Sequence, residues 1–181
     1  MKNLETKRLI LRPFQVSDLD DFFEYCSLNT VGPKAGWAVH TNKAFSLKII
    51  ERFIEKGDVL ALVNKTENKV IGSVGLHKKT DELNRVSFEI GYVLSTPYEG
   101  RGLMTEAVKA VLKHAFMDLN IEEIIVCHFV GNDKSRRVIE KCGFVHTHYG
   151  EYKTLNFGIK KSKYYILAKE NYINYMEATN E

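Results

Sequence analysis

Two glycines on either side of an arginine, in Gly100-Arg101-Gly102, form the part of this chain best suited to bind a ligand. They join a segment with the alternation of a strand to a segment with the apolar periodicity of a helix. Glycine has no Cβ, so a ligand can approach the backbone closely, and the first N–H groups of a helix have no intrahelical acceptor. Because the helix dipole also favours negative charge there, the pattern predicts a diphosphate site, with a ligand-free turn as the alternative. The expected donors lie in the loop and the first helical turn: Gly100, Arg101, Gly102, Leu103, Met104 and Thr105.

Other phosphate-binding motifs do not match this loop. The sequence has no GxxxxGK[ST] segment, and Thr105 stands where a GxGxxG fingerprint needs its third glycine. Glu106, in the first turn of the helix, would repel a phosphate unless its side chain points away. Anion binding is therefore expected to depend on the backbone and on the direction of Glu106.

The elements around this loop predict one α+β domain over residues 1–181, in the order β, α, α, β, β, β, α, β, α, β, β. Strands are expected over residues 9–14, 58–64, 70–77, 85–95, 121–129, 144–152 and 162–169. Helices are expected over residues 17–26, 41–57, 103–118 and 132–141, with residues 29–40 as a loop. The expected N-caps are Ser17, Thr41 and Asn132, and Gly143 is the expected C′ residue of the last helix. The helix after the glycine loop should bury one stripe, formed by Met104, Ala107, Val108, Val111, Ala115 and Phe116.

Composition and spacing exclude several classes of function. The chain has 26 Lys and Arg against 23 Asp and Glu, and a scattered net charge of +3 is too small for a nucleic-acid binder. It has no run of about 18 apolar residues, so no membrane span is expected, and the first residues lack the features of a signal peptide, which favours a cytoplasmic protein. Cys26, Cys127 and Cys142 have no CxxC spacing and are expected to be reduced thiols. His146 and His148 alternate on one strand without a third ligand at suitable spacing, so no metal site is expected.

Three segments resemble the ribosomal-protein N-acetyltransferase (RimJ/RimL-like) branch of the GNAT superfamily. Thr6-Lys7-Arg8-Leu9-Ile10-Leu11-Arg12, with Ser17-Asp18-Leu19-Asp20, is similar to the opening of that branch. The stretch from Glu89-Ile90-Gly91-Tyr92 to Glu106-Ala107 is similar to its acetyl-CoA motif, and Asn132-Asp133-Lys134-Ser135 through Cys142-Gly143-Phe144 is similar to its second signature. The resemblance implies a GNAT (acyl-CoA N-acyltransferase) fold, with a mixed, mostly antiparallel, splayed sheet flanked by helices. It also implies acetyl-CoA as the co-substrate, with no metal.

The resemblance assigns further contacts with this co-substrate. It implies that the strand before the loop splays from its neighbour at a bulge, and that the backbone of Tyr92, Val93 and Leu94 pairs with the pantetheine arm. It also implies that Asn132 contacts this arm, although capping of its helix would explain this residue without a ligand. Glu99 departs from the family pattern, which has Arg or Gln there, and so removes one positive contact.

Two residues are candidates for the catalytic proton transfers. The resemblance implies that Ser135 lies near the sulfur and protonates the departing CoA thiolate. Glu89 is the candidate base that takes the amine proton, through a water molecule. The alternative for Glu89 is a paired or rim-exposed carboxylate, because unpaired burial of a charge is costly.

The acceptor pocket is expected near the loop between the first two helices, because the resemblance implies that this region borders it. Trp37 and His40 lie in that loop and are therefore the candidate substrate-binding residues. A Trp that anchors the loop on the core and a structural His are the alternatives. His77, at the end of a strand, is a further candidate.

The expected reaction moves an acetyl group from acetyl-CoA to a primary amine by direct attack in a ternary complex. Cys127 and Cys142 lie in apolar segments that raise a thiol pKa, which disfavours an acetyl-cysteine intermediate. By analogy with the branch, the expected acceptor is a protein or peptide N-terminal amine. A small-molecule amine, such as an antibiotic or polyamine, and a non-catalytic acyl-CoA-binding module are the alternatives. The protein is expected to be a monomer or homodimer.

Overall fold

A computed structural model describes residues 1–179 of the chain. Within these residues the structure contains a single 8-stranded sheet with helices on both faces. The strands are β1 (Leu4–Glu5), β2 (Leu9–Pro13), β3 (Val59–Asn64), β4 (Lys69–Thr80), β5 (Val86–Leu94), β6 (Glu123–Phe129), β7 (Val145–Lys153) and β8 (Ile159–Ala168). The helices are α1 (Leu19–Cys26), α2 (Gly32–Ala35), α3 (Lys43–Lys56), α4 (Leu103–Lys113), α5 (Asp133–Lys141) and α6 (Lys169–Thr179). The single domain over residues 1–181 stays a prediction, and residues 180–181 lie outside the described residues.

The sheet is divided by a splay between β5 and β6. Its strand order is β1-β2-β3-β4-β5-β6-β8-β7, and every neighbouring pair is antiparallel except β5 and β6. These two parallel strands pair at one position, Glu89 with Ile125, and then diverge. The predicted fold class, a mixed and mostly antiparallel splayed sheet flanked by helices, is confirmed.

The splay arises without the bulge that the resemblance implied in β5. The register between β4 and β5 is continuous from Gly72–Leu94 to Thr80–Val86. Within the described strands around this point, the register shift falls instead between β3 and β4, at Leu62 and Val63.

Each face of the sheet has its own hydrophobic core. On one face, α4 buries Met104, Ala107, Val108 and Val111 against the sheet, and the predicted stripe continues to Ala115 and Phe116 in the π-helical turn His114–Asp118 that follows α4. On the other face, Phe22, Tyr25 and Cys26 of α1 and Ile50 of α3 pack on β3 and β4. Fully burying a large apolar side chain of this kind contributes roughly 1.5–3 kcal/mol to the stability of the fold. The two cores therefore hold the helices in place on both faces of the sheet.

Three elements were not predicted from the sequence. They are β1, the short helix α2 inside the expected loop over residues 29–40, and the C-terminal helix α6. The last predicted strand ends at Ala168, and Lys169 begins α6. Tyr172 of α6 is buried and its ring lies 4.9 Å from that of Phe116, so tertiary packing holds a helix with a weak sequence pattern.

Two predicted N-caps were wrong by one or two positions. Ser17 lies inside a short turn over Val16–Asp18, and the Asp18 carboxylate accepts the Gln15 N–H at 2.8 Å, so Asp18 closes this turn. Asn42, and not Thr41, caps α3, because its Oδ1 accepts the Phe45 N–H at 2.9 Å. Asn132 caps α5 as predicted, and Gly143 follows that helix with a φ of 85°, which favours glycine.

Candidate active site

The splay opens a cavity of about 1270 Å³ that is lined from both faces of the sheet. Its first mouth, here named the loop side, is lined by the glycine loop, the start of α4 and the start of α5. Its second mouth, here named the aromatic side, is lined by residues that include Trp37, Phe45, Phe53 and His77. Between them the wall is formed by the diverging parts of β5 and β6. A molecule bound at the loop side can therefore reach a second molecule that enters from the aromatic side.

The glycine loop presents unused backbone donors to the loop side. Gly100 and Gly102 have φ values of 77° and 75°, in the left-handed region that glycine adopts without strain. The first N–H of this region to bond within the helix is that of Glu106, which donates to the Gly102 carbonyl at 3.0 Å. Among residues 1–179, the N–H groups from Gly100 to Thr105 donate no hydrogen bond. This arrangement can bind a diphosphate.

Glu106 points away from these donors. Its carboxylate accepts hydrogen bonds from Thr6 Oγ1 at 2.6 Å, from Arg8 N–H at 2.8 Å and from Arg8 Nε at 2.7 Å. Burial alone would raise the pKa of Glu106, but the hydrogen bonds from Thr6 and Arg8 together lower it. Arg8 also donates to the Arg101 carbonyl at 2.8 Å, so the same contacts hold the loop in place.

The two charged residues of the loop are partnered. Glu99 forms an ion pair with Lys134 of α5, which offsets its negative charge near the expected diphosphate site. The guanidinium of Arg101 lies 5.5 Å from the centre of the Tyr98 ring, at a distance suited to a cation–π contact. Arg101 itself is exposed and free to turn toward an anion.

Ser135 and Tyr92 meet in the wall of the cavity. The Tyr92 hydroxyl lies 2.9 Å from Ser135 Oγ and donates to the Ser135 carbonyl at 3.2 Å. Asn132 Oδ1 accepts the Ser135 N–H at 3.3 Å, so the cap of α5 positions this serine. Burial raises the pKa of Tyr92, which keeps its hydroxyl protonated and able to donate. Sequence reasoning considered only the backbone of Tyr92, because nothing in the sequence shows that β5 faces the first turn of α5.

Glu89 lines the cavity next to the point where β5 and β6 pair. Its carboxylate forms an ion pair with Lys79 of β4, so its predicted alternative, a paired carboxylate, describes its state here. Lys79 also lies 5.9 Å from the centre of the Tyr152 ring. No sequence pattern predicts this pair, because Lys79 and Glu89 are brought together only by the register of β4 and β5.

Trp37 and His40 both line the aromatic side but differ in exposure, and their role in substrate binding stays a prediction. Trp37 is half-buried, with its ring 5.2 Å from that of His40. His40 is buried among aromatic rings and its Nδ1 lies 2.7 Å from Ser46 Oγ. Burial lowers the pKa of His40, so the ring is held neutral. Trp37 is therefore the more accessible of the two to a bound molecule.

A pair that the sequence did not predict, His77 and Asp58, also lies on the aromatic side. His77 Nδ1 is 2.8 Å from Asp58 Oδ2. The histidine was a candidate by its position alone, whereas its carboxylate partner comes from the residue before β3. Their separation of 19 residues follows no sequence motif.

The cysteines are poor nucleophiles in this environment. Burial raises the pKa of Cys127 to about 12, with a further contribution from the charge of Glu89. Burial likewise raises the pKa of Cys142 to about 12. Both thiols are therefore protonated at neutral pH, and a thiol reacts poorly in that form.

The described residues contain neither a group of metal ligands nor a membrane-spanning helix. In residues 1–179, no three His, Cys, Asp or Glu side chains are grouped so that they could hold a metal ion. No helix in this part of the chain is both long and apolar enough to cross a bilayer.

Comparison with known proteins identifies the class. The family described as "Acetyltransferase (GNAT) domain" matches residues 8–145. The chain therefore belongs to the GNAT acetyltransferase family, and the predicted family is confirmed.

Individual relatives agree with this class. The chain is 37% identical over 79 residues to the "Putative ribosomal N-acetyltransferase YdaF" of Bacillus subtilis, a match that covers 44% of this chain and 42% of that relative. It is 27% identical over 141 residues to the uncharacterized N-acetyltransferase YnaD of the same organism, with 78% and 81% of the two chains covered. The chain thus spans less than half of the first relative and about four fifths of the second.

Solved structures show the same fold. A GNAT-family acetyltransferase from Bacillus anthracis superimposes with a TM-score of 0.82 at 24% identity, covering 93% of this chain and 99% of that one. The microcin C7 self immunity acetyltransferase MccE, solved in complex with acetyl-CoA and AMP, superimposes with a TM-score of 0.75 at 20% identity, covering 90% and 93%.

Proposed function

We propose that this N-acetyltransferase transfers the acetyl group of acetyl-CoA to a primary amine, and that the amine is the N-terminus of a protein or peptide. The observation that carries the proposal is the pairing of unused N–H donors from Gly100 to Thr105 with a cavity that crosses the splayed sheet. The donors provide a site for a diphosphate. The cavity provides a route from that site to an acceptor on the opposite face.

In this proposal the loop side binds the co-substrate. The diphosphate lies on the backbone of Gly100 to Thr105, with Arg101 as an additional donor. The pantetheine arm enters the splay and pairs with the unpaired edge of β5 at Tyr92, Val93 and Leu94, as an added strand would. Asn132 lies beside the same opening. Acetyl-CoA is favoured because a structural neighbour of the same fold was solved with it.

The chemistry is a direct attack of the amine on the thioester. The C–N bond forms as the carbonyl oxygen becomes negative, and a backbone N–H of β5 stabilises that oxygen. The C–S bond then breaks, and the Ser135 hydroxyl protonates the thiolate, with Tyr92 in reach of Ser135 to replace the proton. Glu89, predicted from the sequence, is one group on the aromatic side that could take the amine proton, and His77 is another.

An N-terminal amine suits this site for a chemical reason. An α-amino group has a pKa of about 7.7–8.0, so a sizeable fraction is neutral near pH 7, whereas the lysine side chain has a pKa of about 10.4. A site with weak bases therefore favours the α-amine. The name of the relative YdaF, which refers to a ribosomal N-acetyltransferase, supports a protein acceptor.

A small-molecule amine is the second candidate. The MccE structure was solved in complex with acetyl-CoA and AMP, so this fold can hold a small molecule together with acetyl-CoA. The aromatic side of this chain, with Trp37, Phe45 and Phe53, could enclose a small ligand of similar size.

Mass spectrometry of an acceptor panel tests the proposal. The purified protein is incubated with acetyl-CoA and with peptides that have free or blocked N-termini, with polyamines and with amine antibiotics. The expected result is a mass gain of one acetyl group on peptides with a free N-terminus and none on the blocked peptides. Acetylation of polyamines or antibiotics alone would replace the protein acceptor by a small molecule. Binding of acetyl-CoA without any product would favour a non-catalytic binding module.

A further inference from the structure

His77 is held in a defined orientation at the aromatic side of the cavity. It lies on β4, and its Nδ1 is 2.8 Å from Oδ2 of Asp58. A carboxylate only accepts hydrogen bonds, so in the neutral ring Nδ1 carries the proton and Nε2 keeps its lone pair. The carboxylate therefore selects the form of the ring in which Nε2 can act as a base.

Two glycines make room for the ring. Gly75 of β4 and Gly91 of β5 are direct cross-strand partners. A Cβ at Gly75 would lie 2.5 Å from His77 Nε2, and one at Gly91 would lie 3.8 Å from it. The ring thus lies over a part of the sheet without side chains. Any residue larger than glycine at position 75 would displace it, because a real Cβ atom is not found that close to another atom.

His77 lines the cavity, and its Nε2 is unused. The side chain of His77 is 39% exposed and lines the cavity together with Gly91 and Glu89. Among residues 1–179, Nε2 has no hydrogen-bond partner. Both requirements for a general base, an available lone pair and access to the substrate, are therefore met.

Glu89 meets these requirements less well. It is the direct cross-strand partner of His77, because the register of β4 and β5 pairs these two residues. Its carboxylate, however, is engaged by Lys79. To act as a base, Glu89 would have to give up or share its contact with Lys79, whereas in the described part of the chain Nε2 of His77 has no such partner.

We propose that His77 accepts the proton of the attacking amine, and that Asp58 is the positioning residue for its ring. This assignment rests on the proposed function and specifies its base. His77 Nε2, directly or through one water molecule, removes a proton from the ammonium form of the acceptor, which leaves a neutral amine and an imidazolium. Asp58, which lies within hydrogen-bond distance of the ring, and Glu89, the cross-strand partner of His77, stabilise the charge of that imidazolium.

The protons balance over the full reaction. The neutral amine attacks the thioester carbon, the C–N bond forms and the C–S bond breaks. The second amine proton leaves the nitrogen as the amide forms and passes through water to Ser135, which has given its own proton to the thiolate. The imidazolium then releases its proton to water, so each turnover yields the amide, CoA and one proton.

The charged groups that face His77 come from three elements. Asp58 precedes β3, Glu89 belongs to β5, and Lys79 lies two residues along β4 on the same face. Val59 of β3 is the cross-strand partner of Gly75, and its Cγ2 would lie 3.2 Å from a Cβ at Gly75. Two carboxylates and one ammonium group therefore form the charged surroundings of His77.

The first test is replacement of His77 with rescue by free imidazole. In the His77→Gln variant we expect kcat with a peptide acceptor near pH 7 to fall roughly 100-fold, the lower end of the range for loss of a general base. The fall should shrink as the pH is raised to about 9, where the α-amine loses its proton without help. Added imidazole should restore turnover in His77→Ala. His146→Gln, a histidine on the other face of the sheet, is the matched control and should leave kcat unchanged.

The second test addresses the positioning of the ring. Asp58→Asn should lower kcat by a smaller factor than His77→Gln, because its amide can donate to Nδ1 and so favour a proton on Nε2. Asp58→Glu keeps a carboxylate and should recover part of the loss. Gly75→Ala keeps both side chains but displaces the ring, so it should also lower kcat while circular dichroism shows a folded protein.

The outcomes separate this inference from the proposed function. If the natural protein acetylates no amine, the proposed function fails. If it is active, but His77→Gln keeps full kcat, or Glu89→Gln loses more and imidazole rescues nothing, His77 is not the base while the proposed function stands. Acetyl-CoA affinity, measured by calorimetry on each variant, should stay within about threefold of the natural protein, because His77 lies on the opposite side of the cavity.

Discussion

The two mouths of the cavity are built in opposite ways. The loop side takes its donors from the backbone of one continuous stretch, Gly100 to Thr105, and from the start of α5. The aromatic side takes side chains from separate parts of the chain, including Trp37, His77 and Tyr152. A backbone site tolerates changes of side chain, which is why Glu99 can replace a basic residue once Lys134 offsets its charge. A side-chain site can change its ligand with few substitutions.

In the proposed reaction, this difference assigns the co-substrate and the amine to different sides of the cavity. The loop side is suited to one invariant chemical group, a diphosphate, because N–H groups and a helix dipole recognise charge and little else. The aromatic side decides which amine reacts, since shape and polar contacts there come from individual residues. The predictions below examine each side and the boundary between them.

The largest effect is expected from a negative charge in the glycine loop. A Cβ at Gly100 would meet no atom within 4 Å, so Gly100→Asp adds charge without a steric clash. At a distance of about 5 Å and an effective dielectric of 20, repulsion of a phosphate amounts to about 3 kcal/mol, or roughly a 100-fold loss of acetyl-CoA affinity. Calorimetry measures this change.

The matched control for this variant is Gly57→Asp. Gly57 has a φ of 64° and the same open space, but it lies at the end of α3, away from the cavity. It separates the strain of a left-handed residue from the effect of charge. Equal affinities in the two variants would mean that the diphosphate is not bound at the loop.

A smaller effect is expected at the boundary between the two sides, where Ser135 and Tyr92 meet. Ser135→Ala should lower kcat roughly 10-fold, because Tyr92 can still supply a proton, and Ser135→Ala with Tyr92→Phe should lower it roughly 100-fold. Acetyl-CoA affinity should change little in the single variant. Steady-state kinetics and calorimetry together check this, and an unchanged kcat in the double variant would remove both residues from the thiolate step.

The contacts of Glu106 with Thr6 and Arg8, which hold the glycine loop in place, should make the stability of the protein depend on pH. The pKa of Glu106 is lowered in the folded protein, despite its burial, by hydrogen bonds from Thr6 and Arg8. The unfolded chain therefore binds more protons below pH 4.5, and the contribution of Glu106 to stability is present above that pH and is lost as the pH falls through the folded pKa. Glu106→Gln should cost about 1 kcal/mol near neutral pH and little in acid.

Urea denaturation at several pH values measures this dependence. Glu55→Gln, on the exposed surface of α3, is the control and should show no such loss. A destabilisation by Glu106→Gln that is the same at every pH would show that charge plays no part in this anchor.

The smallest effect on turnover is expected at Cys127, beside the aromatic side. Burial raises the pKa of this thiol to about 12, so alkylation by iodoacetamide at pH 8 should be roughly 1,000-fold slower than for a free cysteine. Cys127→Ala should keep kcat within about threefold, since transfer is direct. Isolation of an acetyl group on a cysteine during turnover would contradict direct attack.

The loop side could be predicted from the sequence because each of its signals is local. The glycines, the stripe of α4 and the Asn132 cap all act over one or two helical turns, and the structure has each of them. The splay was predicted only through the resemblance to the family, and the single pairing of Glu89 with Ile125 confirms it.

The aromatic side could be predicted only in part. Trp37 and His40 line it as expected, but the His77–Asp58 pair and the Glu89–Lys79 pair depend on the register of three strands. The caps at Ser17 and Thr41 were wrong because a neighbouring Asp or Asn competes for the same role. Helix α6 was missed because Tyr172 is ordered by a distant residue, Phe116.

A crystal structure of the complex with acetyl-CoA tests the central claim most directly. The account predicts the diphosphate on the N–H groups of Gly100 to Thr105, the pantetheine arm between β5 and β6, and the thioester within reach of the aromatic side. A co-substrate bound elsewhere, or a thioester that the sheet separates from His77 and Trp37, would contradict it.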